Sequence, residues 1–499
     1  MPEKKHHISI SKTQYLRGMQ CLKSLWLHKH SPELRDDSDQ KRESSFALGH
    51  SVGEIAKSLY PGGVEIEFDA KDFQGMIRRT LDLISSGQKV IYEATFKKDG
   101  ILVLVDILVK KGDHWEILEV KSSTGVKDYQ IIDAGIQWYV VSNFLPVKEA
   151  AIVHINNSYT RDGDLEPAKL FHTEFITDQV LALQDEIPVN LRLMENAING
   201  KLPDLNIGGQ CNTPFVCDFY GHCWDHIPDS SVFNLYRLRG AQKFDFYHSG
   251  VVTLNQIPED FPLTETQQLQ INSVSEGKAI VNSQVIAKFL SKIKFPVSFL
   301  DFETMMDAVP RFNSQKPYQQ IPFQYSLHIL KKSGSLSHKE FIADEFSDPR
   351  RSFTENLISN LPKKGTIIAF NMSFEKMILR MMSEMFPDHS AILNGLINRF
   401  EDLIEPFRLR GYYHPDFNGS FSIKSVLPAM FPDEATLNYK SLEIQNGQMA
   451  MDTFASLHRI ESRDERSKIR KDLLEYCKLD TLAMVKIMDR LREVCDKDL

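Results

Sequence analysis

At 499 residues the chain exceeds the ~250–300 residues over which one hydrophobic core keeps growing, so two large domains are expected. Hydrophobic residues at 42% and charged residues at 25% are those of an ordinary globular protein and exclude a collagenous or wholly disordered chain. A net charge of −8 argues against a general coat of nucleic-acid affinity without excluding a metal-dependent nuclease, whose cations and local basic groove meet phosphate at a carboxylate-lined site.

The opening MPEKKHHISISKTQYL has no apolar core of signal-peptide length, and no later run approaches the ~18 apolar residues of a membrane span. A soluble, cytoplasmic protein with no membrane partner is expected. Six cysteines in such a chain point to metal rather than to a disulfide framework. Residues 1–225 read as the first domain, opening with a helical segment, YLRGMQCLKSLWLHKH, and a second helix at FALGHSVGEIAKSLY that PGG ends. KVIYEATF, GILVLVDILVKK and HWEILEVKSS are short β-branched strands, the last two joined by a turn that suits a hairpin. A helix, YQIIDAGIQWYVVSNFL, and a strand, EAAIVHINN, follow. Residues 226–290 read as a helical linker, with short helices paired around Gly250. From 291 to 499, strands KFPVSFLDFET and PFQYSLHILKK precede GTIIAFN, which leads into the helix SFEKMILRMMSEMF. Both halves are therefore expected to be α/β.

In the strand SFLDFET, Asp301 and Glu303 lie two apart, so the pleat puts both carboxylates on one face, a geometry for a hard cation. A lone D-x-E is more often a solvated strand end. Here two further signals follow in order: Asn371 and Glu375 in NMSFEK, where a strand hands over to a helix, and Tyr476 and Asp480, four apart on one helical face of DLLEYCKLDTLAMV. This order resembles the DnaQ-like, or DEDD, exonucleases of the tyrosine class, which share the RNase H-like fold, from about Phe295 to the end. The resemblance implies that Asp301, Glu303 and Asp480 hold two Mg²⁺ or Mn²⁺ ions, with Asp301 bridging both. Glu375 takes the second carboxylate role, Asn371 supports it, and Tyr476 orients the attacking water. That family has Asp where this chain has Glu375, and a misplacement of ~1 Å can cost ~10²-fold. PYQQIPFQYSLHIL and GSFSIKSVLPAMF also resemble an uncharacterised bacterial family in which such a domain follows a RecB-like one. Phe323 and Tyr325 are expected in the core, and Lys424 is a candidate phosphate contact.

In the first half Asp106 interrupts the apolar strand ILVLVDILV, and Glu119 and Lys121 share a face of the next strand. A hairpin brings the three together, as a metal site or as a simple Glu–Lys pair at a strand end. D…E-x-K resembles the PD-(D/E)XK restriction-endonuclease-like nucleases of the RecB-like branch, over roughly residues 10–225. That resemblance implies His50 as a metal ligand with Asp106 and Glu119, and Glu93 and Gln137 as supporting residues.

Cys211, Cys217 and Cys223 are spaced C-x5-C-x5-C at the end of this half, and Cys21 lies near its start. A nuclease core clasped between one early and three late cysteines resembles the iron–sulfur nucleases, including those associated with CRISPR and the AddB helicase subunit. It implies one [4Fe–4S] cluster on the four thiolates, although the late spacing departs from C-x2-C-x5-C and Zn²⁺ is the alternative. Cys477 is read as packing. The expected whole is a two-nuclease fusion acting on nucleic acid, DNA favoured, in DNA repair or foreign-DNA processing. A nucleic-acid-binding scaffold with one inactive domain and an RNA-processing exoribonuclease are the rivals, and the sequence leaves any protein partner open.

Overall fold

The β-branched runs of both halves pair into sheets, because extended chain with one apolar face is stable only against a neighbour that completes its hydrogen bonds. A computed structural model describes residues 9–36, 40–434 and 437–498. Its contacts divide the chain into two units, one of Met1–His226 with Asp307–Gln319 and one of Ile227–Met306 with Gln320–Leu499. Among the described residues no helix is long and apolar enough to cross a membrane.

Unit 1 is a seven-stranded sheet of β1 (Ile10–Ser11), β2 (Val64–Glu65), β3 (Val90–Lys98), β4 (Ile101–Lys111), β5 (His114–Lys121), β6 (Val147–Ile155) and β7 (Phe171–Phe175). The order is β2-β3-β4-β5-β6-β7, with β1 paired to β4. β3, β4 and β5 are antiparallel, whereas β6 runs parallel to β5. The helix Asp128–Val141 makes the crossover that a parallel pair requires. One face packs against this helix through Val103, Val105, Ala134 and Ile136; the other builds a separate core on Ile107, Val109, Val153 and Ala308. The usual alternation along a strand breaks at one point. Val103 and Val105 of β4 belong to the first core but Ile107 and Val109 to the second, and β3 changes face between Tyr92 and Ala94. Glu93, between them, has φ +55°, and Asp106 is the residue of β4 at which that strand changes face. Such a strand irregularity re-aims side chains.

The expected single helix around Cys21 is two, Lys12–Gln20 and Leu22–His30, because Cys21 itself is extended. Asp307–Gln319, absent from any sequence expectation for this half, belongs to unit 1. Ala308 is buried in its second core with Tyr318 against it, and Arg161 donates to the carbonyls of Pro310 and Arg311.

Unit 2 contains a five-stranded sheet of β9 (Val297–Met305), β10 (Ile321–Leu330), β11 (Leu336–Ile342), β12 (Ile367–Ala369) and β13 (Phe400–Asp402), preceded in the chain by β8 (Ile280–Val281) and followed by β14 (Tyr412–Tyr413). The order is β11-β10-β9-β12-β13, and β8 pairs separately with β14. β9, β10 and β11 are antiparallel, whereas β12 is parallel to β9 and β13 to β12. Helices Pro349–Asn360 and Ser373–Met385 supply Phe353, Leu357, Ile378 and Met382 to the core under Leu300 and Phe302. The long helix Arg463–Asp498 packs on β9 and β10, where Gln324 donates to the carbonyl of Leu473 at 2.7 Å. Phe323 and Tyr325 are fully buried, as expected. The stretch 226–290 does not stand apart as a linker. From Ile227 onward it belongs to unit 2 and has its own small core of Leu235, Leu238 and Leu254. Gly250 (φ +86°) ends the helix Gly240–His248, and a single turn at Leu254–Gln256 stands where a second helix was expected.

Gly365 precedes β12 at φ +94°, and a Cβ there would meet the Pro296 carbonyl oxygen at 2.0 Å. Next to it, Ser298 of β9 donates to the Thr366 carbonyl. Gly365→Ala is expected to lower the stability of unit 2 by about 2–4 kcal/mol, since strain and a backbone clash act together, and denaturant unfolding of the full chain measures it.

Candidate metal centres

In unit 2 the carboxylates come from three elements. β9 presents Asp301 and Glu303, and the start of helix Ser373–Met385 presents Glu375. The helix Arg463–Asp498 brings Tyr476, Cys477 and Asp480. Ligand atoms of Asp301, Glu303 and Cys477 lie within 4.8 Å of one another, with the Cys477 sulfur 3.6 Å from Asp301 Oδ2. Asp480 accepts a 2.6 Å hydrogen bond from the Tyr439 hydroxyl, and Tyr476 lies close enough to help hold its carboxyl down. Burial, with repulsion from Asp480 and its neighbours, pushes Asp301 and Glu303 well above the usual carboxylate range. Burial likewise raises Asp480 to about 6 and, with Asp402 adding repulsion, Glu375 to about 8. Among the described residues, Lys424 is the cation that faces Asp480, Glu303 and Asp301, and it lies over the rings of Tyr439 and Tyr476 at 5.5 and 5.6 Å.

The fit to a divalent cation rests on what these acids lack. Among the described residues, Glu375 Oε2 is buried with no hydrogen-bond partner, and the Lys424 ammonium is set against Asp301, Glu303 and Asp480 together. A hard cation with oxygen ligands removes both deficits. Asn371 works through its backbone: at φ +70° it makes the turn from β12 into the helix, and its N–H donates to Asp402 at 2.8 Å. Sequence reading missed Asp402 and Tyr439 and assigned Cys477 to packing. The signal for Cys477 was its place directly after Tyr476; nothing local marks the other two.

Unit 1 brings Asp106, Glu119 and Lys121 together. Asp106 Oδ2 accepts from the Val120 N–H at 2.7 Å. Lys121 donates to Glu119 at 2.7 Å and to Asp133 at 2.8 Å, and Gln137 donates to the other oxygen of Glu119 at 2.7 Å. Glu93 is within electrostatic reach of Asp106. Lys12, which the sequence reading did not select, places its ammonium 2.8 Å from Glu119 and 3.6 Å from Asp133. Burial raises Asp106 to about 7, with Glu119 adding to it. Burial also pushes Glu119 up, but Lys12 and Lys121 outweigh it and hold that carboxyl low. His50 is exposed on helix Gln40–Lys57, and among the described residues it forms no three-donor set with Asp106 and Glu119. Both oxygens of Glu119 are engaged, one by the Lys12 and Lys121 ammonium groups and the other by Gln137, so a metal ion would have to displace one of these partners to reach it. Asp133 carries a sequence signal after all, being four residues before Gln137 on the same helical face.

The four cysteines singled out from their spacing line one small cavity of about 20 Å³, with Lys23, Ser24 and Phe219. Cys21 reaches it from the extended joint between two helices. Cys211 and Cys217 are tied by a backbone hydrogen bond of 2.8 Å, and Cys223 sits on the short helix Tyr220–Trp224. The two ends of unit 1 are sewn together around them: Arg17 pairs with Asp218, and Gln20 donates to the carbonyls of Gln210 and Phe215. Thiolates on a single zinc at ~2.3 Å would stand roughly 3.8 Å apart, whereas among the described residues no three of these sulfurs lie within 4.8 Å of one another.

A family model described as a domain of unknown function (DUF2779) matches residues 298–422, a span that takes in Asp301, Glu303 and Glu375 and stops before Tyr476. Uncharacterized protein MG366 homolog of Mycoplasma pneumoniae is 25% identical over 229 residues, covering 43% of this chain and 34% of its own length. Uncharacterized protein UU173 of Ureaplasma parvum is 25% identical over 234 residues with the same coverage, 43% and 34%. The chain thus spans about a third of the length of these curated relatives. No solved structure matches.

Proposed function

We propose that unit 2 is a divalent-metal-dependent 3′→5′ exonuclease of RNase H-like fold and that unit 1 is a RecB-like nuclease module carrying a [4Fe–4S] cluster. The pair acts on nucleic acid, DNA favoured, in DNA repair or foreign-DNA processing. The observation that carries this reading is the convergence of Asp301, Glu303, Glu375 and Asp480, with Tyr476, from a strand, a strand-to-helix turn and a C-terminal helix. That is the order in which the resemblance to tyrosine-class DEDD exonucleases would use them.

In this reading Asp301, Glu303, Glu375 and Asp480 hold Mg²⁺ or Mn²⁺, which when bound stabilises the charge that develops on the phosphodiester. Tyr476, kept protonated because burial and the nearby carboxylates raise its pKa, offers a fixed hydroxyl beside Asp480. Tyr439 shares that task, and its 2.6 Å bond orients the carboxylate. Lys424, lodged between the two rings and the acids, is positioned to meet a phosphate oxygen.

In unit 1 burial alone would lower the Lys121 pKa, but Glu119, Asp133 and Asp106 outweigh it. Its ammonium therefore stays charged, which suits neutralising a phosphate rather than accepting a proton. The Lys12 ammonium on Glu119 favours a second reading for this unit alone, a nucleic-acid-binding platform without hydrolysis. At the cysteines, four thiols lining one cavity, no three of which meet the spacing of a single zinc among the described residues, favour a polynuclear cluster.

Digestion of 3′- and 5′-labelled single-stranded DNA and RNA by anaerobically purified protein in Mn²⁺ tests both units. Asp301→Ala is expected to abolish stepwise 3′ shortening by at least 10³-fold (~4 kcal/mol of barrier), and Lys121→Ala to remove a separate activity. If only the first activity exists, unit 1 is the platform; if wild type cuts neither polymer, the nuclease reading fails.

Metal should also be visible in stability. Glu375 and Asp480 have folded pKa values raised above the ordinary ~4, so the metal-free folded state binds protons that the unfolded chain releases. That stabilisation is present below about pH 4 and is lost as pH rises through about 6 and 8. Mn²⁺ is therefore expected to raise the unfolding midpoint of wild type more at pH 8 than at pH 6, and to do little for Asp301→Asn. Iron and acid-labile sulfide in equal amounts, both lost in Cys217→Ser, are expected of the cysteine site; zinc without sulfide would replace the cluster.

A further inference from the structure

Beside Lys121 in unit 1 lies an open cleft of about 920 Å³ bordered by residues 121–127, Tyr129, Gln130, Asn157 and residues 316–318. Its charge is opposite to that of the chain. In a protein of net charge −8, the described lining residues hold the ammonium groups of Lys127 and Lys316, together with Lys121, which Glu119 and Asp133 pair from behind, and include no carboxylate. Lys127 and Lys316 are exposed, and among the described residues neither makes an ion pair. Solvated lysines scattered on a surface would mean little. These stand on one concave wall that leads to the Lys121 ammonium.

The wall is built rather than loose. Gln130 donates to Ser123 Oγ at 3.0 Å and accepts from the Lys127 N–H at 2.9 Å, and the Ser123 carbonyl accepts from Ile155. Tyr129 lies edge-on to Phe215 at 4.7 Å, which fixes its ring. Opposite, Tyr318 is held at φ +57°, a conformation that a bulky residue keeps only where its surroundings impose it. Its hydroxyl donates to the Ser122 carbonyl, so residues 316–318 are locked to the loop after Glu119 and Lys121. Ammonium groups that follow a backbone, hydroxyls and aromatic rings, in a trough open at its ends, make the combination that takes a single strand without reading its sequence.

We infer that this cleft seats the sugar–phosphate backbone of a single-stranded nucleic acid leading to Lys121, and that residues 316–318 supply one of its walls. The inference rests on the nuclease reading of unit 1 or on its platform variant, and extends either by naming where the strand lies. It also makes the segment Asp307–Gln319, distant in sequence, part of the substrate-binding surface of unit 1. Lys316 and Lys127 are then binding residues for the backbone, and Tyr318 positions the wall.

The test uses the full chain in EDTA, with fluorescein-labelled oligo(dT) and oligo(U) as probes. Anisotropy is titrated at several salt concentrations for wild type, Lys127→Ala, Lys316→Ala and the double variant, with exposed Lys363→Ala of unit 2 as control. In parallel, oligo(dT) carrying 4-thiothymidine is photocrosslinked and the labelled peptides are mapped. Each cleft variant is expected to weaken binding about tenfold and to flatten the dependence of log affinity on log salt by about one unit. The control should be unchanged, and crosslinks should fall within 121–130 and 316–318. Oligonucleotide that binds equally well to the double variant, with crosslinks confined to unit 2, overturns the inference while leaving the exonuclease reading intact. Wild type that neither binds nor cuts either probe overturns both. The substituted lysines are exposed, so a loss of binding cannot be assigned to misfolding when thermal unfolding is unchanged.

Discussion

Burying like charges is the constraint around which unit 2 is organised. Two carboxylates ~4 Å apart repel by roughly 4 kcal/mol at an effective dielectric of about 20, a large part of the ~5–15 kcal/mol that holds a domain folded. Asp301 and Glu303 nevertheless stand within 4.8 Å of each other, with Glu375 and Asp480 within electrostatic reach. Only a rigid frame keeps them there. β9 lies in the centre of its sheet, flanked by β10 and β12, and Leu300 and Phe302 beside Asp301 are in the core. The helix Arg463–Asp498 crosses β9 and β10 and is pinned by the Gln324 bond to Leu473. The acids cannot move apart without unpacking that frame, so they relieve repulsion by holding protons or by holding a cation.

Unit 1 solves the same problem with its own ammonium groups. Glu119 is buried at 2% exposure yet charged, because Lys12, Lys121 and Gln137 occupy its oxygens. Charge is thus balanced inside the protein, and the site has less need of an ion. The two centres differ in physical state although each was read from paired carboxylates. The cysteine cavity adds a third device, since the ends of a half more than 200 residues long meet there through Arg17, Asp218 and Gln20. Anything bound by the four thiols closes that long loop and so stabilises the first unit.

Much of this was legible in local patterns. β-Branched runs gave the strands that carry Asp106, Asp301 and Glu303, and an i,i+4 spacing put Tyr476 and Asp480 on one face. Cysteine spacing, with an isolated early cysteine, marked four residues that share one cavity. Lys12, Tyr439 and Asp402 were illegible, since each approaches its carboxylate or backbone partner from an element with no periodic or motif signal of its own. Lys12 is a surface-type residue at the start of a helix, and only the pairing of β1 with β4 carries it to Glu119. His50 shows the converse: its place in the order of motifs suggested a ligand, but the helix face that bears it is exposed.

Sequence by itself therefore determined which carboxylates and thiols are available and which secondary elements bear them, because these follow from periods of 2 and 3.6 residues and from spacing along one segment. Tertiary structure decided which charges meet. It set an ammonium against Glu119, left Glu375 with an unpaired oxygen, brought Cys477 to Asp301, and assigned residues 307–319 to the first unit. Those outcomes depend on contacts between residues far apart in the chain. Their energies are set by burial and distance, quantities that no local pattern carries.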